Sequence, residues 1–147
     1  MKLQKASRYA LYAVLHLASE PGKQFSTAEI AERYGVSSHH LAKVMRALVR
    51  CGLIESVRGV GGGYRFAGNV RRTTLWDVID EFESLESNID IPEKLDGDAE
   101  IIFQGLQSVN NEIDTLIKAT LDSTTLQTLL LYGKDAQQRA RDSADET

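Results

Sequence analysis

Residues 37–66 read S-S-H-H-L-A-K-V-M-R-A-L-V-R-C-G-L-I-E-S-V-R-G-V-G-G-G-Y-R-F. Leu41, Val44, Met45, Leu48 and Val49 recur at helical spacing, while His39, His40, Lys43, Arg46 and Arg50 fall off that stripe. The segment predicts an amphipathic helix with a basic outer face, closed at Cys51-Gly52. Two short strands follow, Leu53 to Arg58 and Gly63 to Ala67, joined by Val60 and its glycine neighbours. A helix succeeded by a basic, glycine-tipped hairpin is the plan of a winged helix-turn-helix, whose second helix enters the major groove of DNA.

The preceding residues supply the first helix of that plan. Ser26 and Glu29 form a capping box that opens a helix over Thr27 to Tyr34, with Ala28, Ile30 and Ala31 available for packing. Gly35 ends it, Val36 plugs the turn, and Ser37 or Ser38 caps the next helix. Further upstream, Tyr9, Ala10, Ala13, Val14 and Leu17 mark a support helix over Leu3 to Ala18, stopped at Pro21-Gly22.

Charge divides the chain. Residues 1–72 carry twelve Lys/Arg and four Asp/Glu, a balance of +8, whereas residues 73–147 carry five and seventeen, a balance of -12, within a net charge of -4. One end is built to meet a polyanion and the other is not. A length of 147 residues suits about one domain. No signal-peptide pattern or membrane-length apolar run is present, and the single Cys51 can make neither an internal disulfide nor a four-thiolate site. A cytoplasmic protein is expected.

Beyond the wing, residues 68–72 read as a basic connector and Thr74 with Asp77 as a cap opening a helix from Leu75 to Phe82. Ser84 to Asp98 is acidic and aperiodic, a loop long enough to suggest function or disorder. From Ala99, Ile102, Leu106, Val109, Ile113 and Leu116 alternate in steps of four and three, an a/d seam that predicts a dimerisation helix. Packing within one chain is the rival reading of that seam. A short helix over Leu126 to Leu131, capped by Thr124 or Thr125, and a frayed polar tail complete the chain. The expected organisation is a DNA-binding domain over 1–82, an acidic loop over 83–98, dimerisation and C-terminal helices over 99–133, and a disordered tail over 134–147. The fold class is mainly α with a small β-hairpin.

The candidate DNA-binding residues are Ser37, Ser38, His39, His40, Lys43 and Arg46 on the recognition helix and Arg58, Gly61, Gly62, Tyr64 and Arg65 on the wing. The histidines open the helix, where side chains reach base edges. Adjacent helical positions point apart and no third ligand is nearby, so a metal site there is disfavoured. Arg58 stands where the hairpin meets its tip, placed to enter a minor groove whose narrowness enhances its negative potential; a cross-hairpin ion pair is its structural alternative. The glycines do not form a dinucleotide fingerprint, because Tyr64 occupies the third glycine position and no Gly-Lys-Ser/Thr follows. They suit a tight turn with backbone close to phosphates. Cys51, at a helix C-terminus, reads as a packing residue before a redox sensor, Trp76 as a core anchor before an effector contact, and His16 as a satisfied histidine before a ligand.

Taken together, K-L-Q-K-A-S-R-Y-A-L-Y-A-V-L-H-L-A, I-A-E-R-Y-G-V-S-S-H-H-L-A-K-V, V-R-G-V-G-G-G-Y and L-W-D-V-I-D, spread over residues 1–82, resemble the Rrf-two family of bacterial winged-helix regulators. The resemblance implies a homodimer joined by the long helix, with each wing at a minor groove. Cluster-binding members place three cysteines in the region matching Phe82 to Ile102, where this chain has neither Cys nor His. Other members draw ligands from the first helix, at positions that here hold Arg8 and Tyr12. Thiolates hold such clusters, so a cluster-free member without cofactor or metal is expected. The cysteine-metabolism repressor, signalled through a partner enzyme, is the nearer precedent, and D-S-T-T-L from Asp122 resembles its C-terminal region. Residue 42, often a longer polar reader in relatives, is alanine here.

The leading reading is therefore a dimeric DNA-binding regulator, a repressor reading a palindromic operator, with a protein or small-molecule effector. A redox- or metal-sensing regulator with an atypical site and a winged-helix module that binds protein instead of DNA are the alternatives. No converging acid, base and nucleophile marks an enzyme.

Overall fold

The computed structural model describes residues 3–84, 92 and 94–145. The elements run α1 (Lys5–Ser19), α2 (Thr27–Tyr34), α3 (Ser38–Arg50), β1 (Ile54–Val57), β2 (Gly63–Phe66), α4 (Leu75–Ile79), α5 (Gly97–Ser123) and α6 (Leu126–Asp145). The strands form an antiparallel hairpin with Glu55 opposite Arg65 and Val57 opposite Gly63. Phe25 adds a one-residue bridge to its outer edge, through mutual backbone hydrogen bonds with Tyr64 of 2.9 and 2.8 Å.

Local chemistry sets most boundaries. The Ser26 hydroxyl accepts from the Glu29 N–H while the Glu29 carboxylate accepts from the Ser26 N–H, and Thr74 and Asp77 repeat this box at α4. Gly35 closes α2 at φ 63°, a left-handed conformation that a β-carbon disfavours. Ser37 is the N-cap of α3. The Thr125 hydroxyl accepts from the Thr128 N–H at 3.3 Å as α6 begins.

One core gathers all six helices. Ala10, Ala13, Val14 and Leu17 of α1 are fully enclosed with Ile30 of α2, Leu41, Met45 and Leu48 of α3, Ile54 of β1, Val78 and Ile79 of α4 and Leu126 of α6, and Leu121 of α5 lies at the edge. Each large side chain so buried contributes about 1.5–3 kcal/mol. Trp76 packs partly buried against this cluster, its ring facing the Lys118 ammonium 5.2 Å away.

The expected partition into separate head and dimerisation segments needs correction. The α5–α6 connector lies along residues 70–75: Leu75 N–H donates to Thr124 O, Leu126 N–H to Thr73 O and Gln127 N–H to Val70 O, at 2.9–3.0 Å. Leu121 and Leu126 thus belong to the DNA-binding core, because the chain returns to the head after the long helix. The expected short helix and frayed tail are likewise corrected: α6 continues to Asp145, since Lys134 to Asp142 contains only residues compatible with a helix and hydrogen bonds such as Gln138 to Asp142 (2.8 Å) bridge its turns. α4 stops at Ile79 rather than Phe82. The acidic loop is cut shorter by α5 starting at Gly97, and its residues 85–91 and 93 lie outside the described residues.

Candidate DNA interface

The apolar stripe of α3 turns inward, which leaves His39, Lys43, Arg46 and Arg50 on one exposed face at steps of four, three and four. Lys43 and Arg46 have no hydrogen bond or ion pair among the described residues, so their charges are available to a partner. Arg50 is drawn away, its guanidinium 3.4 Å from the Glu81 carboxylate. Ser37 and Ser38 are exposed at the helix start, the Ser37 hydroxyl accepting from the His40 N–H at 3.4 Å. The His40 ring meets the Lys5 ammonium of α1, Nζ to Nδ1 3.3 Å, a juxtaposition that no local sequence pattern signals.

On the wing, Arg58 is exposed and lacks a partner among the described residues, against the alternative of a hairpin ion pair. Val60 and Gly61 stand exposed at the tip. At Gly62 a β-carbon would lie 2.5 Å from Val57 O and 2.8 Å from Gly59 O, so only glycine lets the turn close this tightly. Two expectations for the second strand shift. The Arg65 guanidinium pairs with Glu55 directly across the hairpin, and Tyr64 packs partly buried against the core. Both residues therefore brace the wing through their side chains, while Arg58 and the glycine tip have no side-chain partner among the described residues.

His16 is a packed histidine: its Nδ1 lies 3.1 Å from the Tyr34 hydroxyl and its ring meets Phe25 edge-on at 4.6 Å. Burial, aided by the Arg33 cation, lowers its pKa from the ordinary histidine value. Tyr34 also stacks on Tyr12 at 5.1 Å, tying α2 to α1.

Cys51 caps α3 and its thiol donates to the Glu81 carboxylate at 2.6 Å. That hydrogen bond, with burial and the carboxylate's charge behind it, pushes the thiol up to about 11, only partly opposed by Arg50. The same bond, followed by that from Arg50, lowers the Glu81 pKa. Since the thiolate is the nucleophile, alkylation of Cys51 in the native protein should be slow at pH 8, climb about tenfold per pH unit and level off only near pH 11. Glu81→Gln should move that rise to lower pH; an unshifted rate–pH profile would contradict the arrangement.

Among the described residues no three His, Cys, Asp or Glu side chains converge as metal ligands, and the lone thiol is held at α3 by Glu81. No described helix is long and apolar enough to cross a membrane.

Comparison with known proteins agrees with the geometry. Residues 3–131 match the Rrf2 (Rrf-two) family, described as iron-dependent transcriptional regulators. BadM of Rhodopseudomonas palustris is 49% identical over 130 residues, 88% of this chain and 81% of that protein. The helix-turn-helix transcriptional regulator NsrR of Bacillus subtilis is 32% identical over 140 residues, 92% and 94% of the two chains. Among solved structures, IscR of T. potens superposes with a TM-score of 0.74 at 29% identity, covering 93% of this chain and 91% of that one. CymR, the global cysteine regulator of B. subtilis, gives 0.66 at 28% identity, covering 90% and 98%. A winged helix, an exposed basic recognition face and a match along most of the chain place this protein in the Rrf2 family, whose members are transcriptional regulators and not enzymes.

Proposed function

We propose that the protein is a homodimeric, cytoplasmic repressor that reads a palindromic operator with two recognition helices and two wings, without an iron–sulfur cluster. The observation that carries DNA reading is the set of exposed cations at Lys43, Arg46 and Arg58, without a partner among the described residues, on elements whose inner faces are committed to the core. Exposed charge at a helix and wing in this fold suits phosphates and grooves, whereas a protein-binding module would not need it. The acidic second half repels DNA and leaves the first half as the contacting surface.

Dimerisation is supported by α5. Its 27 residues extend about 40 Å. Ile102, Leu106, Val109, Ile113 and Leu116 remain 49–66% exposed along one seam. Five large apolar side chains in a row facing water favour a partner copy, which would set the two heads on successive half-sites. A small molecule or a partner protein supplies the signal in this reading, and the lack of thiolates argues against a cluster.

The test is anaerobic purification with absorption, iron and sulfide assayed on one sample, followed by selection of bound sequences from random duplex DNA. A colourless protein that enriches a palindrome is expected. Stoichiometric iron and sulfide would overturn the cofactor reading and favour metal sensing through an atypical site; enrichment of no sequence would overturn the operator reading.

A further inference from the structure

The contact between α1 and the recognition helix has a chemical consequence for how DNA is read. Lys5 lies in the first turn of α1, where its ammonium sits 5.6 Å from the centroid of the Tyr9 ring and 3.3 Å from Nδ1 of His40. Tyr9 is buried, so the platform under the ammonium is fixed by the core. The start of α1 is fixed as well, since the Gln4 N–H donates to the Glu83 carboxylate at 2.6 Å. Gln4, Lys5, Tyr9, His40 and Lys43 line an open cleft of about 340 Å³ between α1 and α3.

A lysine ammonium has three donors and no acceptor. In the Lys5–His40 hydrogen bond, Nδ1 of His40 must therefore accept, and the proton of the neutral ring resides on Nε2. Left alone, an exposed imidazole would interchange tautomers and rotate. Here one nitrogen is occupied by α1 and the other is left as a directed donor on the first turn of the recognition helix, the position from which side chains reach base edges. The acceptors exposed in the major groove are purine N7, guanine O6 and thymine O4.

We propose that Lys5, seated over Tyr9, acts as a positioning residue that holds His40 as an Nε2–H donor to a base-edge acceptor, so that the first turn of α1 is part of the DNA-reading apparatus. This rests on the DNA-binding reading above. It assigns His40 a donor role and makes base preference at one operator position depend on a residue outside the helix-turn-helix.

The test uses the full-length protein and its selected duplex. Nitrogen NMR of the histidine rings in the free protein reads the tautomer, and fluorescence anisotropy reads affinity across a salt series. The wild type should show the Nε2–H form of His40. Lys5→Met should give mixed tautomers and weaken specific binding about tenfold, the scale of one lost hydrogen bond, with the salt slope unchanged. His40→Gln, whose amide N–H stands near the place of Nε2–H, should bind within about threefold of wild type, while His40→Asn, which mimics the other nitrogen, should lose about tenfold. An Nδ1–H tautomer in the wild type, unchanged affinity in Lys5→Met, or the reverse ranking of Gln and Asn would overturn the proposal. A salt slope reduced by about one in Lys5→Met would overturn it too, because Lys5 would then be a phosphate contact in its own right. Wild-type protein that bound no duplex would remove the DNA reading itself, whereas wild-type binding with an unaffected Lys5→Met would remove only this inference.

Discussion

Arg58→Ala is expected to weaken specific DNA binding about thirtyfold while leaving the folded protein intact. A guanidinium in a narrow minor groove makes charge-assisted hydrogen bonds worth about 1.5–3 kcal/mol, and those are lost on truncation. The fold should not register the change, because Arg58 is exposed and has no partner among the described residues. An exposed substitution of this kind alters stability by about 0.5 kcal/mol or less. Arg65→Ala supplies the contrast. Its guanidinium already serves Glu55, so its removal should cost clearly less DNA affinity than that of Arg58. Anisotropy titrations of the three proteins, with thermal melts alongside, decide the matter. Equal losses at both positions, or less than about threefold at Arg58, would mean that the wing does not enter a groove.

The second large effect is expected on α5. Leu106→Asp with Ile113→Asp places carboxylates in the middle of the apolar seam, and a two-fold interface presents each of them twice. Burying unpaired charge costs several kcal/mol, more than such a seam can offset. The variant should sediment as a monomer at micromolar concentration and lose specific DNA affinity by at least about a hundredfold, since one head alone holds only a half-site. Because neither side chain belongs to the head core, the cooperative melting of the head should persist. A dimer that survived both substitutions would mean that this seam is not the interface.

Much of the head is legible in the sequence because its signals are local. Ser26 with Glu29, Gly35, Ser37 and the inward stripe of α3 each act within a few residues, and the structure places helix boundaries where those signals stand. The tight turn at Gly62 is equally readable from the glycine run, whereas the sequence leaves Arg58 between a groove contact and a cross-hairpin ion pair. What the sequence concealed is tertiary. The Glu55–Arg65 pair needs the strand register, Lys5–His40 needs α1 laid against α3, and the thiol bond of Cys51 needs α4 to deliver Glu81. The length of α6 is not legible in the sequence because its polar end has no apolar period. The return of Leu126 into the head likewise follows from backbone pairing with residues 70–75 that no periodicity announces.

The central claim, that this chain is an electrostatically anchored reader of DNA, is tested most directly by titrating the full-length protein against its own upstream DNA and a shuffled duplex over a salt series. With several phosphate contacts per protomer, affinity should fall on the order of a thousandfold between low and physiological salt, and the upstream DNA should be preferred throughout. Affinity that ignored salt, or made no distinction between the duplexes, would contradict the account.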